Sequence, residues 1–117
     1  MKTKMLIIRP DESCESREVD LPIYPSYATL RDLIAPILSC KYIEHVTVLA
    51  DTTFKGSLDF KRADMFVDED GHARGLPENR SATAIYRRNA IINQNAKAED
   101  LPWIAGPAVL FSRIVWT

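Results

Sequence analysis

Apolar residues recur along this chain with two periods, and the changes between them mark out its elements. The run Met5 to Ile8, flanked by Lys4 and Arg9 and closed by Pro10, has the form of a short strand buried on both faces. A polar, acidic turn over 11–16 follows. Arg17 to Leu21 then alternates charged and apolar residues, as a second strand returning in a hairpin would. Pro22 and Pro25 interrupt regular structure and push the residues before them toward extended geometry. From Thr29 the period changes. Leu30, Leu33, Ile34, Ile37 and Leu38 fall at i, i+3, i+4, i+7 and i+8, one apolar stripe of a helix with Thr29 as its cap. Pro36 conflicts with that stripe, because proline in a helix interior costs about 3 kcal/mol and kinks it. The helix is therefore expected to bend or end near Ala35.

Tyr42 to Ala50 reads as a strand rich in β-branched residues. The stretch 51–61 reads as a loop whose Phe54, Leu58 and Phe60 could cover a core edge. Asp64 to Val67 is a further strand, Asp70-Gly71 a hairpin turn dipeptide, and His72 to Leu76 the strand expected to return from it. Asn79 or Ser81 then caps a helix over Arg80 to Asn93, with Ala82, Ile85, Tyr86, Asn89 and Ile92 on one face. After a polar connection over 95–102, Ala108 to Trp116 is expected to close the chain as a strand. Strands that come in consecutive pairs point to a single α+β domain over residues 1–117, with a mostly antiparallel sheet of five to six strands and two helices packed on one face. The continuous apolar run Ala108 to Phe111 puts the last strand at the centre of that sheet.

Composition narrows the classes. The 117 residues are 46% hydrophobic and 26% charged, which suits a globular chain that buries one core. The formal net charge of −1 lacks the basic excess of a nucleic-acid-binding domain, so nucleic acid is not an expected partner. The apolar run near the N-terminus is too short for a secretory core or a membrane span. A cytoplasmic location in a bacterial or phage-infected cell, away from membranes, is expected. Cys14 and Cys40 form no Cys-x-x-Cys pair, and with His45 and His72 they have no zinc-site spacing. Two free thiols, no metal site and no cofactor are expected.

The stretch from Asp68 to Ala90 concentrates the candidate chemistry. Its acidic Asp68-Glu69-Asp70-Gly71 fails as a calcium loop: with Gly71 at the sixth position, Phe66 and Pro77 would fall where side-chain ligands belong. A solvated hairpin turn explains the acids. Arg74, Arg80, Arg87 and Arg88 lie close in sequence around Tyr86, next to a helix N-terminus that Asn79, Arg80 and Ser81 would form. Free N–H groups at such an end favour anions. Arg74, Asn79, Arg80, Ser81, Tyr86 and Arg87 are therefore the candidate ligand-binding residues, although no phosphate-binding glycine loop accompanies them. Asn89 sits in the apolar stripe, and a buried amide there must hydrogen-bond loop backbone near Gly106 or Gly75, or face a pocket. Nucleophilic catalysis has little support: Cys40 could meet His45 or His72, with Asp64 orienting either, but spacing does not join them. Trp103, Trp116, Tyr24, Tyr27 and Tyr42 are enough aromatics to anchor an interface, Trp103 being expected in the core.

Three stretches, "YIEHV", "MFVDEDGHARGLPENRSATAIY" and "WIAGPAVLF", together resemble a family of small proteins of unknown function encoded largely by bacteriophages, plasmids and bacteria that carry mobile elements. The matching pieces are Tyr42-Ile43-Glu44, Asp68 to Gly71, Gly75 to Thr83 and Ile104 to Val109. Ser39, Cys40 and Lys41 stand where the family often has glycines. The resemblance implies a mobile-element accessory protein and suggests that Asn79 braces its loop and caps the helix. It carries over no activity and no catalytic residue.

The leading expectation is thus a non-enzymatic accessory protein acting by protein–protein binding, to a host or phage protein or to itself as a homodimer, with a counter-defence or host-modulating role by analogy. The alternative is a small-molecule or nucleotide-binding protein that holds a small anionic ligand at the loop and helix N-terminus over 75–88.

Overall fold

In the computed structural model, residues 1–49, 62–94, 97, 101–113 and 115–116 are described. The loop expected over 51–61 and the Asn89 side chain lie outside the described residues. Strand β1 (Lys2–Ile8) turns through Arg9 to Ser13 into β2 (Cys14–Asp20), paired antiparallel from Lys2 opposite Asp20 to Ile8 opposite Cys14. β2 begins well before the alternating stretch. Its polar first residues need only one hydrogen-bonded neighbour, because β2 is an outer strand, and its alternating charges discourage further pairing.

Helix α1 (Tyr27–Leu38) starts earlier than expected. Ser26, not Thr29, is its cap: the Ser26 Oγ accepts from the Thr29 N–H at 3.1 Å. The helix also runs through Pro36 to Leu38 instead of ending near Ala35. Asp32 and Pro36 are both exposed, so the carbonyl that loses its partner lies on the wet side, while Leu30, Ile34 and Leu38 stay buried. Ser39 ends the helix in a left-handed conformation (φ 52°), and the Cys40 N–H closes back on the Ala35 carbonyl at 3.0 Å.

β3 (Ile43–Leu49) pairs antiparallel with β4 (Arg62–Asp68), α2 spans Arg80–Gln94, and β5 spans Ala108–Phe111. The five-stranded antiparallel sheet has the order β2-β1-β5-β4-β3, so the last strand in sequence is the central one. The α+β class and antiparallel sheet are as expected. The helices, however, do not share a face. Met5, Ile7, Phe66, Val109 and Phe111 pack with Leu30, Ile34 and Leu38 of α1. The alternate residues Ile8, Met65, Val67, Ala108 and Leu110 pack with Ala82 and Ile85 of α2. Adjacent strand residues point to opposite faces, so the two helices cover opposite faces of the sheet. All four β5 residues are apolar and buried because both of their faces are covered.

Two other expectations are corrected. No strand returns after Asp70-Gly71. Residues 69–75 form a compact turn, with the Arg74 N–H on the Asp70 carbonyl and the Leu76 N–H on the Gly71 carbonyl. The closing strand stops at Phe111 rather than Trp116, since beyond it Arg113 turns aside to bond Thr3 Oγ1 and the Pro22 and Ile23 carbonyls.

Candidate functional site

The turn over 69–75, the segment leading into α2 and the approach to β5 are strapped together at one end of the sheet. Asn79 is the knot. Its side chain is fully buried; its Nδ2 donates to the Ile8 carbonyl at 2.9 Å and the Gly106 carbonyl at 3.0 Å, and its Oδ1 accepts from the Ala82 N–H at 3.1 Å. One amide thereby caps α2 and ties it to β1 and to the β5 approach. The backbone of the same residues adds the Asn79 N–H on the Ile104 carbonyl and the Gly106 N–H on the Pro77 carbonyl, both at 2.8 Å. Thr83 Oγ1 accepts from the Ile104 N–H at 2.9 Å. Two glycines allow this closeness. A Cβ on Gly71 would stand 2.7 Å from the Ala105 carbonyl oxygen, and Gly106, at φ +83°, lies against Leu76.

These straps hold one wall of a cleft of about 330 Å³. The cleft is lined by Glu44, His45, Val46 and Thr47 of β3, by Val67, Asp68, Glu69 and His72, and by Tyr86, Trp103 and Ile104. Trp103, expected in the core, is instead 38% exposed. It is nevertheless fixed: the His72 ring meets its ring edge-on at 4.2 Å, and His72 Nε2 donates to the Trp103 carbonyl at 2.6 Å. A carbonyl only accepts, so Nε2 carries the proton. The charge at the cleft is one-sided. Asp68 is buried and neutralised by Arg74, with its other oxygen accepting from the Asp70 N–H at 2.8 Å. Among the described residues, Glu44 and Glu69 have no ion-pair partner and no lysine or arginine lines the hollow.

The His45 ring, 5.4 Å from that of Phe66 in the core beneath α1, belongs to a histidine–carboxylate pair. His45 Nε2 donates to Asp64 Oδ1 at 2.6 Å, while Asp64 Oδ2 accepts from the Val115 and Trp116 N–H groups at 2.8 and 2.9 Å. Burial raises the Asp64 pKa, but the His45 hydrogen bond and the two backbone N–H groups outweigh it and hold the carboxyl below its ordinary value. The arrangement fastens Val115 and Trp116 to the sheet, with Trp116 edge-on to Tyr27 at 5.9 Å. Of the two histidines weighed as Asp64 partners, it is His45 that Asp64 holds. Cys40 is no activated nucleophile: burial, and secondarily Asp68, push its thiol pKa up. Both cysteines are free, as expected.

The residues expected to hold an anion do not converge. Arg74 is engaged by Asp68, Arg87 donates to the Leu101 carbonyl at 3.2 Å, and the exposed Arg80 stands beside Asp11, Glu12 and Glu78. Ser81 is half-buried on the first turn of α2, and Asn79 directs all its side-chain bonds inward. Only Tyr86 of that set lines the cleft. Asn79 braces the loop through the Gly106 carbonyl. Glu44, His72 and Trp103 went unrecognised as a group because 28 and 31 positions separate them in turn. Each carries no signal until β3, the turn and the β5 approach are brought together.

Comparison of the chain with protein-family models, with curated proteins and with solved structures gives no match.

Proposed function

We propose that this chain is a non-enzymatic accessory protein that works by binding another protein, with the cleft between β3 and Trp103 as its recognition surface. The observation that carries the reading is Trp103: a large aromatic ring, part exposed at the mouth of a concave surface, and held in place by His72 before any partner arrives. Immobilised aromatic anchors beside a hollow supply much of the affinity in protein interfaces, since little entropy is lost on binding. The inward use of Asp64 and His45 and the raised Cys40 pKa favour binding over catalysis. The resemblance to proteins of phages and plasmids suggests the setting, a counter-defence or host-modulating role. The dispersal of Arg74, Arg80 and Arg87 leaves the anionic-ligand alternative with little support.

The test is retention from bacterial lysate on immobilised wild-type protein and on Trp103→Ala, with quantitative mass spectrometry of the bound fraction. A protein retained by wild type and lost from the variant is expected. Identical bound sets would overturn the assignment of the cleft.

A further inference from the structure

We infer that the cleft receives an arginine side chain from a net-positive segment of the partner. This rests on the reading of the cleft as a protein-binding surface and adds the chemistry of its occupant. Three features of the hollow point the same way. First, its lining includes two aromatic residues, Trp103 and Tyr86, and the apolar Val46, Val67 and Ile104. Ring faces attract cations, and a planar guanidinium can stack on them while its methylene stem covers apolar surface. Second, the charge is complementary. Glu44 and Glu69 border the hollow without an ion-pair partner among the described residues, whereas Asp68 beneath is already satisfied by Arg74. A guanidinium entering between them would gain two carboxylate acceptors without displacing an internal pair. Third, the size is restrictive. At about 330 Å³ the cleft lies near the lower end of ligand pockets, about 300–1,000 Å³, which suits a side chain or two better than a nucleotide. The same carboxylates repel phosphate, so an anionic ligand is disfavoured here on charge as well.

The geometry is built for this before binding. Trp103 is positioned by the His72 contact, and the backbone behind it is fixed by the Thr83 and Asn79 bonds to Ile104. Closing on an arginine therefore orders little beyond the incoming segment.

The experiment is an NMR titration of the folded chain with N-acetyl-tetra-arginine amide, followed through the Trp103 indole N–H and the backbone amides of Glu44, Glu69 and His72. Tetra-lysine and tetra-glutamate of the same form serve as comparators. Expected are saturable shifts confined to these positions, weaker binding of tetra-lysine, and no shift with tetra-glutamate. Glu44→Gln with Glu69→Gln should weaken the arginine peptide about tenfold, the scale of two part-exposed charge contacts, while leaving the remaining spectrum in place. No saturable Trp103 shift, equal affinity in the double variant, or stronger binding of tetra-glutamate would each overturn the inference. If Trp103→Ala still loses a lysate partner while tetra-arginine fails to bind, the recognition surface survives and its cationic preference falls. If neither responds, both fall.

Discussion

Replacing Asn79 by aspartate separates two roles that replacement by alanine would merge. As an N-cap, aspartate serves as well as asparagine, so an amide that only capped α2 would tolerate the change. In this structure the Nδ2 faces two carbonyl oxygens, those of Ile8 and Gly106, at 2.9 and 3.0 Å in a fully buried position. Aspartate would set a carboxylate oxygen against both. For Asn79→Ala, the lost cap contributes about 1 kcal/mol and each buried group left unpaired about 1–3 kcal/mol. Carbonyls tolerate the loss better than N–H groups, so a total of about 3 kcal/mol is expected. For a domain of this size that corresponds to a fall in Tm of about 10–15 °C. Asn79→Asp should cost at least as much at pH 7, and should recover in part on mild acidification, when the protonated acid can donate to one carbonyl. Equilibrium urea unfolding with unchanged slope measures both. An Asn79→Asp protein within about 0.5 kcal/mol of wild type at pH 7 would refute the bracing role and reduce Asn79 to a cap.

Asp64 ties stability to acid. Its folded pKa is lowered below the ordinary carboxylate value, so its contribution is present above the unfolded value of 3.8 and is lost as pH falls through the folded one. Unfolding measured from pH 6 to pH 2 should show a flatter acid limb in Asp64→Asn; equal limbs would count against the clamp on Val115 and Trp116. Gly71→Ala forces its Cβ toward the Ala105 carbonyl oxygen and should destabilise by about 1–3 kcal/mol, read by denaturant midpoint; an unchanged midpoint would show that the turn can move away. With a thiol-specific chromogenic reagent under native conditions at pH 8, the exposed Cys14 should react well before Cys40, whose thiol is held up by burial. Equal rates would contradict the packing around Cys40.

Local pattern by itself determined the elements with the strongest period: the β1 run, the α1 stripe, the β3 run, and an α2 beginning at Arg80 behind Asn79. It also determined the central place of β5, because a run of four apolar residues can be buried on both sides only inside a sheet. Tertiary structure alone decided what depends on a partner. The polar start of β2 is strand because β1 offers it a ladder, and α1 continues past Pro36 because Leu38 is buried and Pro36 faces water. Which face each helix covers follows from how strand parity meets the crossovers, and no segment records that. Asn79 could be recognised as a cap from its own neighbourhood, but its hold on Ile8, 71 positions away, could not. The same holds for the cleft. Trp103 reads as core from its own neighbourhood, and only the close approach of Gly71 to Ala105 brings His72 to the Trp103 ring and joins them with Glu44 into one acidic, aromatic surface.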